Sequence, residues 1–273
     1  MAPQEQLGGA VIVPMTDADL VWVADFQPTD WPDIKTAYKL YTTWWFSHPM
    51  KLVLQNQVIG IGNVILFQNS AWLTQIIIRS THQNQGFGTA LTQALIDLVR
   101  DKVTGISLLA TEMGFPVYKK LGFKIQGEYS FYKWDDFMAE ASSLLLSPYH
   151  TDYHCAMLDF DRQVTGENRA RLLQNYLPEA QIMVEKNKLI AMSIPSLGDG
   201  WIISKSSAIG LELMNNHIQK NNRLVLPDDN TFAHDYLSKI NKSPYRKAYR
   251  MVLGKPPAYR PEWIFGRVGG NLG

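Results

Sequence analysis

The chain has 273 residues, with 46% hydrophobic and 19% charged content, which fits a globular protein able to bury a sizeable core. A formal net charge of +1 gives no bulk field to attract nucleic acid or an acidic membrane. No apolar run approaches the ~18–20 residues that span a bilayer, and Cys155 is the single cysteine, so no internal disulfide forms.

The start, Met1-Ala-Pro-Gln-Glu-Gln, lacks a basic region followed by an apolar one, and a soluble cytoplasmic protein is expected. In chain order, Val11 to Pro14 reads as a first strand. Thr16-Asp-Ala-Asp19 offers an N-cap with an acidic first turn, and Leu20 to Ala24 a short helix. Asp30 to Trp45 reads as a second helix with Pro32 near its first turn. Phe46-Ser-His48-Pro49 reads as a break. Lys51 to Leu54 and Val58 to Phe67 then form a hairpin around Gln55-Asn56-Gln57. The β-branched run Trp72 to Arg79 predicts a buried strand. A polar turn follows, and then Phe87, Leu91, Ala94, Leu95, Leu98 and Val99 recur at helical spacing. Ile106 to Ala110 and Gly127 to Trp134 are further strands.

The turn between Arg79 and Leu91 is the informative stretch. Its glycines, Gly86 and Gly88, open a helix, whose first turn has free N–H groups and a partial positive charge. That is a phosphate cradle in outline. It is not a P-loop, because no Gly-Lys-Ser/Thr follows, and not a dinucleotide fingerprint, because no third glycine follows Gly88. On the glycines alone, a plain helix start remains the alternative.

The fuller pattern Gln83-x-x-Gly86-x-Gly88-Thr89, directly after a strand, resembles the pyrophosphate loop of the GNAT-type N-acetyltransferases. Thr111-Glu-Met-Gly-Phe-Pro-Val-Tyr118-Lys-Lys-Leu121-Gly122-Phe123 resembles that family's next motif, in which a tyrosine precedes Gly-Phe by four residues. The resemblance covers residues 11–134. It implies an α+β fold with a mixed central sheet flanked by helices, and acetyl-CoA as co-substrate without a metal. It also implies N–H groups from Gln85, Gly86, Phe87, Gly88, Thr89 and Ala90 on the pyrophosphate, with Gln83 and Thr111 beside the cofactor. A splayed strand would donate a backbone N–H from Ile77 or Ile78 to the acyl carbonyl.

A leaving thiolate, from a thiol of pKa near ~8.5, is helped by a general acid, and the resemblance gives that role to Tyr118. Taken without the family, Tyr118 is equally a packed helix residue. For the base, the strand before the loop offers only Thr74 and Gln75. Glu112 is the nearest carboxylate in sequence, and it also reads as a helix-start charge. His48 and Asp30 are weaker candidates. The aromatic cluster Tyr38, Tyr41, Trp44 and Trp45 is expected to divide between packing and an acceptor pocket, with Tyr41 and Trp44 as pocket walls.

The chain then echoes itself. Gln181 to Ile194 parallels Lys51 to Ile61, Gly200-Trp201-Ile-Ile parallels Ala71-Trp72-Leu-Thr, Leu224 to Ala233 parallels Leu108 to Gly114, and Arg246 to Met251 parallels the closing strand. Trp72 to Thr111 spans 39 positions (111 − 72), but Trp201 to Asn230 only 29 (230 − 201), and the difference falls at the phosphate loop. The second half has Ser204 to Gly210 without Gly-x-Gly, and Leu237 stands where Tyr118 does. The organisation expected is tandem: residues 1–134 an acetyltransferase domain, 135–148 a helical connector, and 149–273 a degenerate copy. A bacterial subgroup of GNAT proteins with a second copy is similar. Cys155-Ala-Met-Leu reads as a strand, which would hold His150 and His154 about 13 Å apart and argues against a metal site.

The function expected is direct acetyl transfer to a primary amine of a small molecule, by a chain that is a monomer or a weak dimer and binds neither nucleic acid nor membrane. The alternatives are a non-catalytic acyl-CoA sensor and a protein N-acetyltransferase, the latter requiring an open groove.

Overall fold

The computed structural model describes residues 8–29, 31–134, 146–270 and 272–273. The elements in order are β1 (Val11–Pro14), α1 (Leu20–Val23), α2 (Ile34–Thr43), β2 (Ser47–Leu54), β3 (Gln57–Leu66), β4 (Ser70–Ile78), α3 (Phe87–Val99), β5 (Gly105–Ala110), α4 (Phe115–Lys120) and β6 (Lys124–Lys133). Then come β7 (Ser147–Pro148), α5 (His154–Thr165), α6 (Ala170–Leu173), β8 (Gln181–Glu185), β9 (Lys188–Ile194), β10 (Trp201–Ser204), α7 (Ser207–Ile218), β11 (Arg223–Pro227), α8 (Thr231–Lys239), β12 (Arg246–Gly254) and β13 (Ile264–Gly266). The expected α+β class is what the chain adopts, a mixed sheet flanked by helices.

Local chemistry explains the elements that the sequence marks most clearly. Asp33 caps α2 by accepting from the N–H groups of Lys35 and Thr36, and Ile34, Ala37, Tyr38 and Tyr41 form its buried face. Asp19 Oδ2 accepts from the Thr16 N–H at 2.9 Å, closing the turn into α1. The β2–β3 hairpin turns at Gln55 and Asn56, and the β8–β9 hairpin at Lys186 and Asn187. All four have positive φ, the geometry of a tight two-residue hairpin turn.

Two expectations fail. The break at His48-Pro49 is part of β2, where His48 pairs with Val64 and Pro49 with Asn63. Proline is accommodated because β1 pairs with β2 only from Met50 onward, so the missing N–H faces the end of the edge strand. Cys155 to Leu158 is not a strand but the first turns of α5, which buries Met157, Phe160 and Val164. Four apolar residues are too few to reveal a period, and the helix shows itself only over the whole run to Thr165. Among the described residues, no group of three His, Cys, Asp or Glu side chains could hold a metal. Most of the expected connector, residues 135–145, lies outside the described residues, as does Asp30.

The main sheet has eight strands in the order β1-β2-β3-β4-β5-β12-β6-β11, and only β4–β5 is parallel. β12, from the second half, is inserted between β5 and β6 of the first. β6 in turn pairs with β11, so each half's closing strand lies against the other half's strand. The second sheet runs β13-β10-β9-β8-β7. One core lies between the main sheet, α2 and the second half, and includes Tyr38, Ile61, Trp72, Phe160, Leu173 and Trp201. A second lies on the opposite face under α3 and α4, and includes Leu73, Phe87, Leu91, Leu108 and Phe123.

The second half also buries an ion pair. Arg169 holds Asp161 through two bonds, at 2.6 and 3.1 Å, donates to the Gly273 oxygen at 2.8 Å and stacks over Trp201 at 4.8 Å. Both partners are about 1% exposed. Removing one partner of such a pair strands the other charge in low dielectric. Asp161→Ala should therefore destabilise by about 3–5 kcal/mol in urea denaturation, and Asp161→Ala/Arg169→Leu by less than the single variant. A loss under about 1 kcal/mol in the single variant would show the pair to be effectively solvated.

Candidate active site

β4 and β5 pair in parallel only from Ser70–Leu73 with Gly105–Leu108. Beyond that level they diverge, and Thr74 to Ile78 has no β5 neighbour. The divergence coincides with a bulge. Ile61 pairs with Ile77 and Asn63 with Thr74, so β4 carries an extra residue there. That residue is Gln75, at φ 49°. Its carbonyl accepts from the buried Tyr38 hydroxyl at 3.1 Å, so α2 fixes the bulge. This backbone conformation is costly for a non-glycine residue and persists because the surroundings hold it.

The hydrogen-bond pattern decides which groups face the opening. The Arg79 N–H donates to Ile59 O at 2.8 Å. Alternation along an antiparallel ladder then turns the Ile77 N–H towards β3 as well, and leaves the N–H groups of Ile76 and Ile78 on the diverging edge. Of the two donors expected from the sequence, Ile78 faces the splay and Ile77 does not. The Ile78 carbonyl is occupied, accepting from Gln83 Nε2 at 3.0 Å, so Gln83 ties the loop back to the strand.

The loop then delivers the helix. Gly86 has φ 87°, a left-handed conformation natural to glycine, and supplies no capping side chain to α3. The first intrahelical bond is Ala90 N–H to Gly86 O at 3.1 Å, so the N–H groups of Phe87, Gly88 and Thr89 have no intrahelical acceptor. Phe87 is buried and anchors the turn, while Gln85 bonds Thr81 O at 3.2 Å and stays on the surface. A Cβ on Gly88 would meet only Ile78 Cγ1, at 3.7 Å, which is ordinary contact. Packing therefore does not demand glycine there, and its value is open access to the backbone. An uncapped helix start with accessible N–H groups fits a pyrophosphate.

On the same face, α4 presents Tyr118. Its ring lies 5.9 Å from Phe123, and burial pushes its pKa up to about 12. The phenol leans back over Gly114, where a Cβ would sit 2.7 Å from Tyr118 Cε2. Gly114 thus makes the space that Tyr118 occupies. Thr111 is a turn residue in this structure. Its Oγ1 accepts from the Gly114 N–H at 3.3 Å and its carbonyl from the Phe115 N–H at 2.9 Å. Glu112 is exposed beside it.

The remaining candidates lie further off. His48 is two strands away from the splay, about 10 Å by strand spacing. Burial, with help from Lys102, lowers its pKa and keeps it neutral at pH 7. Tyr41 is wholly buried in the core, and Trp44 stacks on Phe46 at 5.3 Å. Tyr38, not Trp44, is the aromatic residue bonded to the bulge. Sequence reasoning placed it in the cluster but could not see its hydroxyl's partner. It also missed a group of buried polar residues on the opposite face of the splay, among them Arg250, Glu167 and Arg267.

The family model described as the acetyltransferase (GNAT) family matches residues 20–123, the segment from the start of α1 to the residue before β6. A Bacillus subtilis (strain 168) protein named as the uncharacterized N-acetyltransferase YitH is 25% identical over 202 residues, covering 68% of this chain and 71% of that one. Residues 20–123 thus form a segment of the GNAT acetyltransferase family. The whole-length shape of the chain is also found in solved structures. A putative acetyltransferase from Pyrococcus horikoshii superposes with a TM-score of 0.83 at 18% identity, over 97% of this chain and 96% of that one. A GCN5-related N-acetyltransferase from Sphaerobacter thermophilus gives 0.63 at 11% identity, over 93% and 98%. The likeness to the archaeal protein spans both halves, so the interleaved sheet belongs to the fold and not to this chain alone. The matched segment and the relative's name support an N-acetyltransferase, and the splay, the α3 start and Tyr118 are its candidate machinery.

Two outcomes test this geometry. Gly114→Ala should displace the Tyr118 phenol and lower kcat by about tenfold or more, with acetyl-CoA affinity within about twofold in calorimetry; an unchanged kcat would mean that the phenol's position is irrelevant. A hydroxyl with a raised pKa stays protonated until the pH passes that value. Any alkaline loss of kcat/KM that disappears in Tyr118→Phe should therefore lie near pH 12, and such a loss centred at or below about pH 10 would contradict the buried state.

Proposed function

We propose that the chain transfers an acetyl group directly from acetyl-CoA to a primary amine of a small molecule, at one site in its first half. The observation that carries this reading is the splay itself. A bulged β4 with an outward N–H, an uncapped α3 start and a protonated tyrosine all converge on one opening between β4 and β5. Acetyl-CoA supplies an activated acyl group and a thiol leaving group. The N–H groups of Phe87, Gly88 and Thr89 hold pyrophosphate, the Ile78 N–H donates to the acyl oxygen, and Tyr118 donates a proton to the departing sulfur. β4 carries no carboxylate, and we assign to Glu112, the exposed carboxylate beside Thr111, the role of base for the proton that the amine must lose. No cysteine lies on these elements to serve as an acyl carrier, which supports direct transfer; Cys155 is exposed at the start of α5.

The second half is read as a degenerate copy. Its elements repeat the order hairpin, strand, helix, strand, helix, strand. β10 and β11 are not paired; β13 lies beside β10, with Asn230 Nδ2 donating to Ile264 O at 2.7 Å. Phe265 packs against Gly210 of α7 so closely that a Cβ there would sit 2.3 Å from its ring. The chain's own segment thus fills the place that the first half keeps open, which supports a single site. A small acceptor is favoured over a protein because the C-terminal segment narrows the face of the splay opposite α3. Gly270 O accepts from Trp72 Nε1 at 3.1 Å and from Thr74 Oγ1 at 3.3 Å. The exchange of closing strands within one chain supports a monomer. Among the described residues no helix is long and apolar enough to cross a membrane.

Calorimetric titration with acetyl-CoA should give one site per chain, lost in Gly86→Glu/Gly88→Glu. Tyr118→Phe should keep that affinity and lose about 10²–10⁴-fold in turnover of amines. Two sites per chain would refute the filled second half, and a Tyr118→Phe variant with unaltered turnover would favour a sensor.

A further inference from the structure

The buried charges at the joint between the halves do not balance. Asp161 is matched by Arg169 at 2.6 Å and Glu167 by Arg250 at 3.5 Å. Among the described residues Arg267 has no such partner. It is 2% exposed, and neither its Nη1 nor its Nη2 finds a hydrogen-bond acceptor among the described residues. The groups that face it are Tyr129, whose ring it stacks on at 4.7 Å, Tyr259, Arg250 and Asp199. The two tyrosine hydroxyls are hydrogen-bonded to each other, and Asp199 lies 3.7 Å from Arg223. A guanidinium cannot shed its charge as a buried lysine does, so an unpaired one in the interior is costly and persists where an anion completes it.

Arg267 also sits where an acceptor must arrive. A Cβ on Gly270 would lie 3.5 Å from Arg267 Nη2 and 3.4 Å from Leu109 Cδ2, and Gly270 O is bonded to Thr74. Thr74 and Leu109 are the residues at which β4 and β5 part. Leu109 and Trp72 belong to the core on the α2 face, whereas Tyr118 and Phe115 pack into the core on the α3 face. The pyrophosphate loop and the acid thus lie on one side of the sheet and Arg267 on the other, within a side chain's length of the opening.

We infer that the acceptor carries a carboxylate, and that Arg267 binds it, so that the substrate class is an amino acid or a close amino-carboxylate. The inference deepens the proposed reaction and rests on it for the word acceptor. The planar guanidinium, with four terminal N–H groups free, suits a bidentate carboxylate. Arg267 is stacked on Tyr129, whose hydroxyl is bonded to Tyr259, and the neighbouring Arg250, which stacks on Tyr259, is itself committed to Glu167 and to Gln126 at 2.8 Å. A neutral amine would leave Arg267 unpaired and the amine unpositioned, whereas a carboxylate would fix its amino group relative to the splay.

The test uses the full-length protein and a panel of the twenty L-amino acids, their carboxamides and the corresponding decarboxylated amines. With acetyl-CoA, the preferred acid should exceed its own amide by about 30-fold or more in kcat/KM, the scale of a buried charge pair. Arg267→Gln should lose that preference while keeping acetyl-CoA affinity and the rate on the amide. Equal rates on acid and amide in the unaltered protein, or an equal loss on both in Arg267→Gln, would overturn the inference. Thermal melting decides the matter separately if transfer itself fails. The same acid should raise the Tm of the unaltered protein but not of Arg267→Gln, and Arg267→Met without added acid should melt about 2–4 °C higher because an unpaired buried charge is gone. Chloride or inorganic phosphate protecting as well as the amino acid would mean an adventitious ion only. A lower Tm in Arg267→Met with no protection by any acid would mean a purely structural stacking role.

Discussion

Everything in this fold turns on two parallel strands that start to pair and then stop. Four residues of β4 match β5, and after that the backbone groups of Thr74 to Ile78 on that side have no sheet partner. Buried backbone polar groups must be satisfied by something. Where a structure withholds the partner, the place is prepared for a ligand. The bulge at Gln75 keeps the strands apart, and Tyr38 of α2 holds the bulge. The packing of the first helices is therefore part of the site, although none of their side chains need touch the reacting atoms.

The rest of the molecule closes round that opening without filling it. β12 arrives from the far end of the chain to complete β5, and β6 is returned to β11. The halves cannot be parted without breaking one sheet. Gly270 narrows the opening on one side through Trp72 and Thr74, while the opposite side is left to α3 and Tyr118. In the second half the corresponding space is occupied by β13 and Phe265. On the proposed reading of the second half as a degenerate copy, one chain answers the same structural question in two ways, once with an opening and once with its own residues. The asymmetry also explains the shortening between Trp201 and Asn230, since a filled cleft has no use for a phosphate loop.

Much of this was legible in the sequence, and the limits have physical causes. α3, its glycine turn and the Tyr118 helix carry local signals, because a left-handed glycine, a helical period and a short β-branched strand are properties of neighbours in the chain. The first hairpin was equally readable at Gln55-Asn56, and the second only as an echo of it in Gln181 to Ile194. α5 was not, because Cys155 to Leu158 is too short to show a period. Pro49 in β2 was tolerated by an edge that ends before it. The insertion of β12, the placement of β13 and the partners of Arg250 and Arg267 are long-range outcomes. An arginine among apolar residues looks the same whether it lies on a surface or against Tyr129. The local elements of the candidate site were therefore visible in advance and its long-range surroundings were not.

The central claim is that a single acyl-CoA site lies on β4 and the start of α3, and that the second half has none. Hydrogen exchange with and without saturating acetyl-CoA tests it directly, because backbone N–H groups are the proposed ligands. Protection should appear at Ile76, Ile78 and residues 86–90 and be absent from residues 204–214. Protection at 204–214 of equal size, or none at Ile78 and 86–90 despite binding, would contradict the account.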